Sequence, residues 1–293
     1  MGKPIDLAPK FVPGTTVRYV SEGLTQLHMR VDLLDLDETH LVRKETGMSL
    51  TTVAVDSNGA TEVAWVLHYV AIQSEGAIPG IAERLDYDSR NPQATRSPLA
   101  SLFASLLEKP ITLRLDPAGR VQSVTGLANE PTVGLLDALA RDFISPAAIA
   151  QLPMFVTVPA PRPAKVRSTW TESIPLAMPL GAGAVTLDQT FTFERMSPRR
   201  KTAQISMQGD ASAGVPSGSG GTVDVRQSVA RGAFVWDFAA GNLQEAETHL
   251  ELETAFNSVL GPMELTQSLT TSVRRAEASE SARRKRPNRD REK

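Results

Sequence analysis

Four histidines, several carboxylate clusters and two glycine-rich stretches are the residues of this 293-residue chain whose types could carry chemistry. His249 shares a period of two with Glu245, Glu247, Glu251 and Glu253. Histidine with carboxylates is a metal-ligand set in type. Side chains two apart on a strand, however, stand side by side about 6.5–7 Å apart and do not close on one small cation. The spacing reads as a solvated strand face. His28 and His40 fall among polar positions, and His68 follows the strand alternation beside Trp65 and Tyr69. None is joined by local spacing to a Ser or Asp in a nucleophile motif; a triad assembled from distant positions stays open, because local spacing cannot show it.

Asp35, Asp37 and Glu38 cluster, as do Asp86 and Asp88 around Tyr87. Paired carboxylates do acid–base work when their environments push their pKa values apart. Here Asp35 to Thr39 is more simply a polar hairpin turn. The looped D-x-D-x-D spacing that calcium needs is absent. Gly181-Ala182-Gly183 and Ser217 to Gly221 neither join a strand to a helix nor precede Lys-Ser or Lys-Thr, so no phosphate cradle is expected. With no cysteine, disulfides, thiolate metal sites, a cysteine nucleophile and a lipidated cysteine are excluded. No catalytic, cofactor-binding or metal-ligating residue is assigned. The chain is expected to be a non-enzyme without a cofactor.

The net charge of -2 hides an asymmetry. Residues 274–293 hold nine Arg or Lys against four Asp or Glu, a net +5 that leaves -7 on the rest. An acidic body with a basic tail is not the footprint of a nucleic-acid-binding domain, so no nucleic-acid partner is expected. Arg283 to Arg286 could meet phosphate groups, but the aperiodic polar stretch 276–293 reads as a disordered basic tail. No apolar run approaches the roughly 18 residues of a membrane span, so the chain is not integral to a membrane. Met1 to Asp6 lacks the apolar core of a signal peptide. Either the protein is cytoplasmic, or a targeting segment lies outside this N-terminus.

The elements are mostly strands. Leu27, Met29, Val31 and Leu33 alternate with polar residues, as do Val185, Leu187, Phe191 and Phe193, and Met263, Leu265, Leu269 and Val273. Val63, Trp65, Leu67 and Tyr69 line one face of another strand. Such strands place one face on a core and one in water. Asp56 to Gly59, Asp116 to Gly119 and Asp237 to Gly241 carry the Asp-first, Gly-last chemistry of hairpin turns. Three helices are expected: Ser97-Pro98 capping a stripe through Leu107, then 131–143, then 145–152. The fold class is therefore mainly β with a few helices: antiparallel meanders in a curved open barrel or sandwich, two similar halves with helices between. The halves span 14–127, with its helix near 97–108, and 164–275, joined by a helical, Pro-rich connection over 128–163. The helix from Leu99 to Leu107 either fills the curved sheet or forms one wall of an apolar cavity.

An ordered set of features carries a resemblance. It runs from Leu85-Asp86-Tyr87-Asp88-Ser89 and Ser97-Pro98 to Lys109 through Val121 and Val124 to Leu127. It continues with Leu152-Pro153, Ser168-Thr169-Trp170, Gly232 through Asp237 and Gly241-Asn242-Leu243. Over roughly residues 14–275 the chain resembles a family of bacterial envelope proteins, frequent in Planctomycetes, that forms a domain of unknown function. That family is similar in outline to half-barrels that wrap a helix, as in lipoprotein carriers of the LolA type. The resemblance implies a periplasmic or secreted location and carries over no functional residue. Together with the curved one-sided sheet and the apolar helix it points to a non-enzymatic cell-envelope binding protein for an apolar or lipid-like ligand, with Phe103, Leu107, Phe191, Phe193 and Phe234 as the expected lining. The alternative is a structural or protein-interaction module that meets a protein partner through sheet edges and the basic tail.

Overall fold

The three Asp-first turns close as their chemistry dictates. In the computed structural model Asp56 Oδ1 accepts from the N–H groups of Asn58 and Ala60, Asp116 Oδ1 from Ala118 and Arg120, and Asp237 Oδ1 from Ala239 and Ala240. Each turn ends on a glycine in the left-handed region, Gly59, Gly119 or Gly241, where a side chain would be strained. The structure describes residues 4–76, 84–91, 97–104, 106–127, 149, 163–177, 184–212, 223–258 and 261–276.

The strands between such turns are long: β1 Thr16–Val31, β2 Leu36–Val55, β3 Thr61–Glu75, β4 Arg84–Asp88, β5 Pro110–Leu115 and β6 Val121–Thr125 in the first half. The second half holds β7 Thr169–Ala177, β8 Ala184–Ser197, β9 Thr202–Ser212, β10 Asp224–Asp237, β11 Asn242–Ser258 and β12 Gly261–Arg275. All pair antiparallel in one sheet of order β6-β5-β3-β2-β1-β12-β11-β10-β9-β8-β7, with β4 beside β3. β1 and β12, near opposite ends of the chain, pair from Tyr19–Arg275 to Arg30–Glu264, so strands of both halves share one sheet. The sheet is curved until its edges approach. Arg120, in the β5–β6 turn, donates to both carboxylate oxygens of Glu172 on β7 at 2.7 and 2.8 Å. No strand ladder joins β6 to β7, so the curve stays open.

Residues 5–10 cross one end of this curve as a strap. Ile5 exchanges both backbone bonds with Ala164, and the Lys10 N–H bonds the Gly241 carbonyl while its ammonium bonds that of Phe238. Leu7, with no exposed surface, is driven into the interior between those anchors. Helix α1, Pro98–Ala104, opens on the Ser97 hydroxyl, which accepts from the Leu99 N–H at 3.3 Å. It buries Leu99 and Phe103 against the sheet. The expected run to Leu107 is shortened to two turns. Glu108 takes a left-handed φ of 59° and its N–H bonds the Leu67 carbonyl, so pairing to β3 overrides the helical spacing of Leu106 and Leu107. The expected helices at 131–143 and 145–152, the Pro-rich stretch before Pro163 and the tail after Ala276 lie outside the described residues, Ile149 excepted. Ile149 is buried in the interior.

Candidate ligand-binding site on the concave face

Along the four central strands, fully buried residues gather at both ends of the curve. At the strapped end Tyr19, Met48, Ala246 and Val273 join Trp65, Phe103, Phe191, Phe193 and Phe234 in one cluster. At the other end Met29, Val31, Leu252, Phe256, Met263 and Leu265 form a second. Between them the half-buried inward positions, fixed by the period of two, are Gly23, Thr25 and Leu27 on β1 and Val42 and Lys44 on β2, interleaved with buried Ser21, Thr46 and His40. On the far side of β1 the band continues through Gln267, Leu269 and Thr271 on β12 and Thr248 on β11. All nine are only half-buried, although they face the side that holds the core. Solvent therefore reaches the concave face between two filled ends.

One row across the sheet shows why. In register it reads Tyr87, Ile72, Lys44, Gly23, Thr271, Thr248, Gly232, Met207, Phe191, Trp170. Its flanks are large and apolar; its middle is two glycines, two threonines and a lysine. A Cβ at Gly232 would meet Phe234 and Met207 at about 3 Å, so that gap is filled from the side. A Cβ at Gly23 would meet nothing nearer than the Thr270 carbonyl at 4.0 Å. The row is thus least crowded at Gly23, next to Lys44. Burial among these neighbours pulls the Lys44 ammonium from its ordinary 10.5 down to about 8.

The five residues expected to line a cavity are brought together, all in or against the strapped-end cluster. Phe103, Phe191, Phe193 and Phe234 are fully buried, and Leu107 is half-buried. Phe191 stacks on Trp170 and meets Phe234 at a tilt. Val42 and Leu269 pack against the cluster that holds these rings, and Leu27 against the cluster at the other end. Three buried indole N–H groups, of Trp65, Trp170 and Trp236, and Gln189 Oε1 have no hydrogen-bond partner. Buried indoles usually find one.

The convex face is polar: Glu22, Gln26, Arg43, Glu245, Glu247, Glu251, Glu264 and Thr266 are exposed in mid-strand. His249 sits there as expected, bonded to Thr270 and Glu251. His28 bonds Asp37 at 2.6 Å. His68 shows an arrangement that local spacing hides. Its Nε2 lies 2.9 Å from Ser49 Oγ and its Nδ1 3.0 Å from Glu108 Oε2, the connectivity of a nucleophile, base and orienting acid. A β-bulge between Gly47 and Met48 aims the imidazole. Acyl transfer also needs free N–H donors where an oxyanion forms. Ser49 lies in mid-ladder between Arg18 and Val66, 5% exposed, and its backbone belongs to the sheet. The chain of bonds serves instead to tie the α1–β5 connection to the convex face.

His40 is the one histidine turned inward, opposite Leu27 and 1% exposed. Burial lowers its pKa below 6.5, against a weaker opposite pull from Glu38. A group depressed on folding resists protonation, so its contribution is complete above about 6.5 and is lost as pH falls through and below that value. Thermal melts between pH 7.5 and 5 are expected to show stability falling on acidification. His40→Leu should flatten that slope; an unchanged slope would assign it to the carboxylates.

At the end opposite the strap a rim cavity of about 310 Å³ is lined by Arg30, Arg226, Phe256, Met263 and Glu264 among others. Arg226 is engaged by Glu264 at 2.6 Å and Arg30 by Asp32 at 2.8 Å, so these cations are already paired.

No protein-family model and no curated protein matches the chain. Among solved structures, one on lipid–protein interactions in lipovitellin aligns over 92% of this chain at 11% identity and a TM-score of 0.45; this chain spans 26% of that one. DynF, from the dynemicin biosynthesis pathway of Micromonospora chersina, aligns over 95% of both chains at 7% identity and a TM-score of 0.24. An outer membrane channel from Pseudomonas putida F1 aligns over 94% of this chain and 100% of its own, at 9% identity and a TM-score of 0.26. Scores this low transfer no function. What stands from the structure itself is one open, curved antiparallel sheet with a half-buried band of mixed aliphatic and polar residues on its concave side.

Proposed function

We infer that the protein is a non-enzymatic binding protein that holds an apolar, lipid-like ligand in the band around Gly23. The observation that carries this is the half-burial of inward Leu27, Val42 and Leu269 at the margins of the two buried clusters they pack against. Apolar side chains on a concave face, with a few convergent polar groups, are the usual composition of a small-molecule site. The polar convex face is the reverse of a membrane barrel, whose outer face is an apolar belt. Among the described residues no helix is long and apolar enough to cross a membrane. With the envelope family that the turn motifs resemble, this suits a carrier that moves between membranes through water.

Titration with the apolar fluorophore N-phenyl-1-naphthylamine tests the reading. Saturable binding is expected for the wild type. Gly23→Ile should weaken it at least tenfold while leaving the melting temperature unchanged or raised, since β-branched residues suit a strand interior better than glycine. Absent binding, or binding indifferent to Gly23→Ile, would refute a ligand space at this place.

A further inference from the structure

The two ends of the curve differ in charge. At the end away from the strap Asp32, Asp35, Asp37, Asp224 and Glu264 are exposed, and Arg30 and Arg226 there are paired with carboxylates. At the strapped end cations prevail: Lys10 on the strap, Lys165 and Arg167 before β7, and Arg199, Arg200 and Lys201 in the β8–β9 turn, all exposed. None of these six makes an ion pair among the described residues. The carboxylates of the strap and turns at this end bend back on their own backbone. Asp6, Asp56, Asp116 and Asp237 each accept from an N–H group two residues on.

The same rim bares apolar surface. Val12 is 59% exposed, Val53 50%, Val166 40% and Val55 39%, and they are four of the six exposed large apolar residues among the described ones. A scattered exposed valine is ordinary; four gathered at one end are a patch. Val12 is held beside the end of β2, because the Thr15 N–H bonds its carbonyl while Gly14 and Thr15 bond Thr52. Val166 stands between Lys165 and Arg167. The Ala276 N–H bonds the Arg18 carbonyl at this end, so the sequence that continues to Arg283–Arg286 departs from the same rim.

We propose that the strapped rim docks on an anionic lipid bilayer, with its lysines and arginines against headgroup phosphates and its valines in the boundary below them. This does not depend on the ligand space. Cations spread over three separate segments match a broad negative surface better than one narrow phosphate track. Nucleic acid offers the valines nothing, whereas a bilayer buries them, and apolar burial and attraction to anionic lipid add in binding. The acidic far end orients the approach so that the basic rim arrives first.

The test is co-sedimentation of the full chain with phosphatidylcholine vesicles, either pure or about one-third phosphatidylglycerol, at low and high salt. Wild type is expected to bind the anionic vesicles at least tenfold more tightly, with salt weakening the binding. Arg199→Gln with Arg200→Gln should weaken it about tenfold at an unchanged melting temperature. Arg43→Gln with Arg231→Gln, the same charge loss from exposed mid-strand positions, should leave it nearly intact. Val12→Ser with Val53→Ser should lower the binding that survives high salt. Equal binding to both vesicles, no binding to either, or equal losses in the two arginine pairs overturns the proposal. So does binding that is lost when Arg283 to Arg286 become glutamines but kept without Arg199 and Arg200, which would leave the rim no part. Tighter binding to duplex DNA at matched phosphate concentration overturns the bilayer in favour of nucleic acid.

Discussion

Phe191→Ala is expected to lower stability by about 4 kcal/mol, a fall of the melting temperature on the order of 10 °C in thermal denaturation followed by near-UV circular dichroism. Phe191 has no exposed surface and sits in a ring column, 5.6 Å and 9° from Trp170 and 5.9 Å and 46° from Phe234. Removing it leaves a cavity lined by stiff aromatic faces that collapse poorly, which puts the cost in the upper part of the large-to-small range. The column also spans β7, β8 and β10, and β7 pairs with β8 alone. The variant should therefore loosen that edge first. Leu27→Ala is the internal control. Leu27 is inward but only half-buried, so its loss should cost no more than about 1.5 kcal/mol by buried area. Equal costs at the two sites would show the band to be packed, and the binding reading would fall with it.

Much of the architecture is written in local chemistry. The period of two and the Asp-to-Gly turns give the strands and hairpins, because both signals act within a few residues. The pairing of β1 with β12 has no such signal. It joins residues some 250 apart in sequence, and only the global fit of two meanders selects it. The length of α1 escapes the local signal for a related reason. Leu106 and Leu107 keep helical spacing, but the bond from the Glu108 N–H to the Leu67 carbonyl takes the chain elsewhere. The phenylalanines of the strapped-end cluster could be named from the sequence as large apolar residues on one strand face. Lys44 could not. Within Arg43-Lys44-Glu45 it reads as one more solvated charge, and only Met48, four residues on, shows which way it points once the core is known. The Ser49–His68–Glu108 chain was hidden likewise, because a bulge and a left-handed residue do the aiming.

Lys44→Met tests what an inward ammonium costs the fold. Holding a charge in a half-buried apolar setting costs the unliganded protein stability, and the depression of its pKa from 10.5 to about 8 reflects that cost. A shift of that size corresponds to about 3 kcal/mol if taken whole; solvent reaching the half-buried side chain screens part of it, leaving about 2 kcal/mol. Methionine fills similar volume without the charge, so the variant should melt about 4 °C higher at pH 7. The sign can be checked by pH. A lysine depressed on folding destabilises fully below its folded value, and the cost disappears as pH rises from about 8 toward 10.5. The advantage of Lys44→Met should therefore shrink over that interval. A variant less stable than the wild type in the absence of ligand would mean that the ammonium already holds the fold together, and Lys44 would then be structural.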